Sequence, residues 1–186
     1  MNKIILASAS PRRKQLLKTI IDDFEIIPSN AIEIYPKELD AIEVSLYLSK
    51  IKAEDIHNKY PDDIVIGSDT TVIINNTVLG KPINKEDARN MLKTLSDNTH
   101  FVVSGVTIYN KNEIHQINSI SKVIFKKLDD DDIEQYLSND EYKDKAGSYA
   151  IQGLASVFID HIEGDYDTIV GFPTIEVKKI LDKILK

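Results

Sequence analysis

Two carboxylates, two lysines and an arginine pair fall where apolar runs of this chain break, and such a set suits hydrolysis of a phosphoanhydride. Asp69 follows Ile64-Val65-Ile66-Gly67-Ser68, at the C-terminal end of a buried-type strand, where the ligand sites of α/β proteins gather. An Asp capping a turn is the competing reading. Its company separates the two: Glu33 in a loop after a short strand, Lys52 on a helix, and Lys81 just beyond a hairpin. Two carboxylates can hold a hard divalent cation through oxygen ligands, while lysines and arginines neutralise a triphosphate. A carboxylate can also orient or deprotonate the attacking water.

The arginines lie in Leu6-Ala7-Ser8-Ala9-Ser10-Pro11-Arg12-Arg13. Ile4, Ile5 and Leu6 read as a strand, Ser10 as an N-cap and Pro11 as the first helical residue. Arg12 and Arg13 therefore occupy the positive end of a helix, where each opposes the macrodipole by roughly 0.3–1 kcal/mol. An anion at that end is favoured by the dipole and by free N–H groups. Two arginines pointing into solvent is the alternative, but Ser8 and Ser10 add hydroxyl donors on a small-residue turn, so the stretch reads as polyphosphate-binding. It is not a P-loop, having no Gly-rich run and no Gly-Lys-Ser/Thr ending.

The elements that must position these groups alternate. Phe24 to Pro28 reads as a strand and Ser29 to Pro36 as the loop of Glu33. A helix from about Glu38 to Tyr60 is expected, with Leu39, Ile42, Leu46, Ala53 and Ile56 buried. Lys52 borders that stripe, its ammonium directed either to solvent or into a neighbouring cleft. Ile64 to Ile66 and Val72 to Ile74 read as strands on either side of Gly67-Ser68-Asp69-Thr70-Thr71, and Asn75-Asn76 as a hairpin turn into Thr77-Val78-Leu79. Asn84 caps a helix bearing Ala88, Met91, Leu92 and Leu95. His100 to Tyr109 and Ile114 to Phe125 form an antiparallel pair. The acids Asp129 to Asp132 read as a capped helix start rather than a metal site. Glu141 to Gly153 is a loop that includes Lys143, Lys145, Tyr149 and Gln152, with Tyr149 read as packing. Val157 to Ile162 is a strand, Gly164 to Thr168 a turn, and Phe172 to Lys186 a helix. His100 has no second ligand at metal-site spacing and reads as structural.

Composition narrows the class. The 186 residues carry 30 acidic against 23 basic groups, net −7, which disfavours nonspecific binding to nucleic acid or an anionic membrane. The absence of cysteine excludes disulfides, thiolate metal sites and a cysteine nucleophile. No signal-peptide pattern or membrane-length run is present, so a cytoplasmic protein is expected. With no repeat or linker, one α/β domain over residues 1–186 is expected, with a mixed sheet because hairpins interrupt the alternation.

The blocks Leu6 to Arg13, Glu33, Lys52-Ala53, Gly67 to Thr70, Leu79 to Pro82, His100 to Gly105, Lys145 to Gly153 and Gly171-Phe172-Pro173 together resemble the Maf family of nucleoside triphosphate pyrophosphatases, in the family's order. The resemblance implies an elongated mixed sheet with flanking helices, two lobes around a deep cleft similar to the inosine triphosphatase type, and often a homodimer. It implies cleavage between the α and β phosphates with a divalent metal, magnesium or manganese. By position, Ser8, Arg12, Arg13, Lys52 and Lys81 would bind phosphates, Glu33 and Asp69 would serve metal and water, and Gln152 would line the base pocket. Thr70 and Gln152 resemble the branch acting on dTTP and UTP, with modified pyrimidine triphosphates as further substrates. Ser104, Phe172 and Asp167-Thr168 depart from the common pattern and bear on substrate fit, since none removes a charged site residue. A nucleotide-responsive regulator, for instance of cell division, is the second reading; the acidic balance makes nucleic-acid binding the poorest.

Overall fold

The computed structural model describes residues 2–186. The chain runs β1 (Ile4–Leu6), α1 (Pro11–Lys18), β2 (Glu25–Ile26), α2 (Val44–His57), β3 (Ile64–Ile74), β4 (Thr77–Leu79), α3 (Lys85–Leu95), β5 (Thr99–Asn110), β6 (Glu113–Phe125), α4 (Asp130–Leu137), β7 (Ile159–Glu163), α5 (Tyr166–Val170) and α6 (Thr174–Ile184). The strands make one sheet in the order β2-β1-β3-β5-β6-β7, with β4 also on β3. Only β1 pairs in parallel, with β2 and β3; the remaining pairings are antiparallel, so the sheet is mixed, as expected. Among the described residues no helix is long and apolar enough to cross a membrane.

β3 organises the molecule. The expected break at residues 67–71 is absent, because β5 pairs with β3 from Ile64 to Ile73 and holds it extended. Its other edge takes β1 at Ile64–Ile66 and β4 at Val72–Ile74, leaving residues 67–71 without a strand partner there. Separate apolar cores flank this gap. One contains Leu6, Leu17, Ile66, Phe172 and Val177; the other contains Val72, Leu92, Val123, Phe125, Ile133 and Tyr149. Two lobes thus share β3, and the cleft opens along its unpaired segment.

α2 lies against the opposite face of β3 and β5, and glycine makes that approach possible. A Cβ on Gly67 would fall 2.3 Å from the Ser49 carbonyl oxygen, and one on Gly105 would fall 2.4 Å from the Leu46 nitrogen. The buried stripe of α2 is Val44, Ser45, Leu48, Ser49, Ala53 and Ile56. Leu39 and Leu46 are only half-buried and Ile42 is exposed, on a 3-10 turn preceding the helix. Ala53 and Ile56 are buried as expected, whereas the N-terminal half of the expected stripe was misplaced because serines are the small residues that let the helix sit close there; Ser49 shares a 2.9 Å hydrogen bond with Thr107. Gly105→Ala is expected to destabilise the fold by about 1–3 kcal/mol, since the methyl meets backbone atoms that cannot swing aside. A lowered urea midpoint at unchanged slope is the readout.

Local chemistry accounts for several joints. Asn75 and Asn76 have φ of 50° and 58°, as a two-residue hairpin requires. The Asn84 side chain caps α3, and Asp129 with Asp132 forms a capping box on α4. β7 starts at Ile159, later than expected, because Leu154–Phe158 is a 3-10 turn whose Leu154 and Ala155 N–H groups donate to Glu141. The turn expected at Gly164 to Thr168 runs into the short helix α5, capped by Asp165.

His100 is fully buried, its Nε2 2.7 Å from the Tyr149 hydroxyl. Burial lowers its pKa to about 4 from the usual 6.5. Between those values the unfolded chain binds the proton that the folded chain refuses, so stability should fall as pH drops from 6.5 to 4 and then level off. The contribution is roughly 3 kcal/mol at 1.36 kcal/mol per pH unit. Urea unfolding at pH 7 and 4.5 should show a smaller drop in His100→Gln than in the unsubstituted chain.

Candidate active site

The gap beside β3 is the floor of a cleft of about 710 Å³, and Ser8, Ser10, Arg12, Arg13, Glu33, Lys52, Asp69, Thr70, Lys81 and Lys145 line it. Asp69 sits opposite Gly105 in the β3–β5 register and is 7% exposed. Because α2 approaches so closely at Gly67 and Gly105, Lys52 reaches Asp69 rather than solvent. Its Nζ lies 2.6 Å from Asp69 Oδ1 and 3.0 Å from Glu33 Oε1, so one ammonium bridges the two carboxylates. Glu33 reaches in from the exposed loop between β2 and α2, its side chain 49% exposed.

The two arginines diverge. Arg13 donates from Nε to the Gly171 carbonyl at 3.1 Å, from Nη1 to Ser8 Oγ at 3.3 Å and from Nη2 to Thr70 Oγ1 at 3.2 Å. Burial pushes its pKa down; Asp69 and Glu33 act upward, and Arg12 downward. Ser68 Oγ also donates to the Gly171 carbonyl, at 3.3 Å. Thr70 Oγ1 is 2.9 Å from Ser104 Oγ, which donates to the Thr168 carbonyl at 2.7 Å. Arg12, by contrast, has no hydrogen bond or ion pair among the described residues, and its guanidinium is available to a ligand. Ser10 holds the extended backbone of an N-cap, but its side chain makes no capping bond, which leaves the hydroxyl free in the cleft.

Lys81 and Lys145 enter from the other lobe and have no carboxylate within 4.0 Å among the described residues. The Lys145 pKa is lowered by burial, then by Arg12 and Lys81, against the upward pull of Asp144 and Glu141. The cleft also has an apolar wall: Val72, Val102, Ile151, Ile169 and Val170, with Tyr149. Since the Tyr149 hydroxyl is engaged by His100, the ring is what it offers the cleft.

Eight residues expected at the site therefore converge: Ser8, Arg12, Arg13, Glu33, Lys52, Asp69, Thr70 and Lys81. Gln152 does not join them; it is exposed, and its neighbour Ile151 lines the cleft instead. The anchoring carbonyl of Gly171 and the Ser104 link have no signal in local sequence. Lys145 did have one, as a basic residue in a polar, Gly-containing loop.

Glu33 and Asp69 already hold one cation, Lys52, between them, and no group of three or more His, Cys, Asp or Glu is gathered at ligand geometry among the described residues. Two carboxylates facing a cleft rich in phosphate-binding groups fit the sparse coordination of magnesium, which takes one or two carboxylates and completes its shell with phosphate oxygens and water.

The family model of Maf-like proteins matches residues 3–184. A dTTP/UTP pyrophosphatase of Pyrococcus furiosus is 46% identical over 182 residues, covering 98% of this chain and 95% of that one. A dTTP/UTP pyrophosphatase of Alkaliphilus metalliredigens is 39% identical over 186 residues, covering 98% and 96%. Among solved structures, a HAM1 protein from Coxiella burnetii shares the fold with a TM-score of 0.57 at 12% identity, over 98% of this chain and 100% of that one. A nucleoside-triphosphatase (dITP/XTP pyrophosphatase) from Mycobacterium abscessus gives 0.51 at 14% identity, over 98% of each chain. The mixed sheet split along β3, the charged cleft in that split and a family match over nearly every residue agree: the chain belongs to the Maf family.

Proposed function

We propose that this chain is a nucleoside triphosphate pyrophosphatase that hydrolyses dTTP and UTP to the monophosphate and pyrophosphate in the cytoplasm. The observation that carries this reading is the Asp69–Lys52–Glu33 bridge facing the unpaired Arg12 and Lys81 across one cleft. The names of the relatives supply the substrates. Asp69 takes a proton from water as its oxygen attacks the α phosphorus; the bond from that phosphorus to the bridging oxygen breaks, and its electron pair leaves with pyrophosphate. Arg13, held by three protein acceptors, presents a fixed charge at the phosphates, and Lys52 keeps Asp69 oriented. A divalent cation such as magnesium or manganese, held by Asp69 and Glu33, would withdraw charge from the phosphate oxygens when bound. The apolar wall and the Tyr149 ring suit the face of a base, with Thr70 at its polar edge.

Pyrophosphate release by the purified protein with magnesium or manganese, across dTTP, UTP, CTP, GTP, 7-methyl-GTP and dATP, tests the proposal. Turnover should be greatest with dTTP and UTP. A preference for 7-methyl-GTP would overturn the pyrimidine assignment, and absence of turnover with every triphosphate would overturn the enzymatic one.

A further inference from the structure

Five cations line the cleft, and two of them are held in place by protein groups. Arg13 donates to Gly171, Ser8 and Thr70, and Lys52 sits between two carboxylates. Arg12, Lys81 and Lys145 have no acidic partner within ion-pair distance among the described residues. They come from three separate segments, close enough for Arg12 and Lys81 to act electrostatically on Lys145, against the opposite pull of Glu141 and of Asp144, which also lines the cleft. Three like charges brought together in a partly desolvated cleft repel one another, and a polyanion relieves that repulsion.

The Lys145 segment is built for the position. Asp144, Gly147 and Ser148 all have left-handed backbone, with φ of 57°, 64° and 67°, a conformation that persists only where the surroundings enforce it. Here the Gly147 N–H donates to the Gly80 carbonyl at 3.1 Å, which ties the Lys145 loop to the residue beside Lys81. The Lys145 ammonium donates only to the Lys143 carbonyl, at 3.3 Å, and retains further N–H groups for a ligand.

We propose that Arg12, Lys81 and Lys145 form a pyrophosphate-binding pole of the cleft, and that Lys145 is a substrate-binding residue for the β and γ phosphates. This assignment rests on the pyrophosphatase reading and adds a direction to it. The α phosphorus lies toward Asp69, and the leaving pyrophosphate toward the three cations, which take up the charge that develops as the bridging bond breaks.

The test measures binding as well as turnover. Inorganic pyrophosphate and dTMP are titrated calorimetrically, with magnesium, into the unsubstituted protein and Lys145→Gln, Lys145→Arg and Lys143→Gln variants of matching melting temperature. Lys145→Gln should bind pyrophosphate about tenfold more weakly, equivalent to about 1.4 kcal/mol. Its dTMP affinity should be unchanged, because the monophosphate lacks the groups this pole would hold. Lys145→Arg should retain pyrophosphate binding, and Lys143→Gln, an exposed cation paired with Asp140, should leave both ligands unaffected. The proposal is overturned if Lys145→Gln binds pyrophosphate normally, if it loses dTMP equally, or if the unsubstituted protein binds no pyrophosphate. A protein that binds pyrophosphate at this pole yet turns over no triphosphate would refute the enzymatic reading while leaving the pole intact.

Discussion

Asp69→Asn is expected to lower turnover of dTTP by about 10²–10⁴-fold, the range a positioned general base contributes. The substitution preserves size and leaves an oxygen able to accept from Lys52, so the local geometry should hold. It removes the negative charge that takes the proton from water and that would help hold a cation. Lys52 is not stranded, because Glu33 Oε1 remains 3.0 Å away. Melting temperature should therefore change far less than rate. Pyrophosphate release in magnesium, measured beside a thermal melt, separates the two effects. A near-normal rate would take Asp69 out of the chemistry.

The second large effect belongs to Arg13→Ala, for which a loss on the order of 10²–10³-fold in kcat/KM is expected, the range seen when one preorganised donor is removed from a site. Arg13 lies in the first turn of α1, where the macrodipole opposes it. It is held there by acceptors from three parts of the chain: Ser8, Thr70 and the carbonyl of Gly171. Arg13→Lys should recover little, because a single ammonium cannot reproduce a planar fork that meets three acceptors and still faces an anion. Thermal melts with and without pyrophosphate supply the control. The anion should stabilise the unsubstituted chain more than Arg13→Ala, and equal stabilisation of both would show that Arg13 does not face the phosphates.

What the sequence by itself determined is short-range. The Asn75-Asn76 turn, the Asn84 and Asp129 caps, the Pro11 helix start and the β5–β6 hairpin follow from groups within a few residues of one another, so their geometry is nearly independent of the rest of the chain. The identities of the site groups were legible too, because charged residues interrupt runs that would otherwise be buried. Tertiary structure decided where those groups point. Arg12 and Arg13 are neighbours in sequence, but a carbonyl 158 positions away pins only the second. Lys52 could have extended into solvent; Gly67 and Gly105 admit α2 so closely that Asp69 takes its ammonium instead. β3 continues through a Gly-Ser-Asp-Thr-Thr stretch because β5 pairs with it from Phe101 to Asn110 and templates it, whereas that composition alone reads as a break. Gln152, which the resemblance placed in the base pocket, is exposed and Ile151 lines the cleft instead, since the loop carrying them is held by Tyr149 and Glu141 contacts rather than by its own periodicity. Each of these outcomes depends on atoms far apart in the chain, which local spacing does not encode and close packing of the sheet against α2 does.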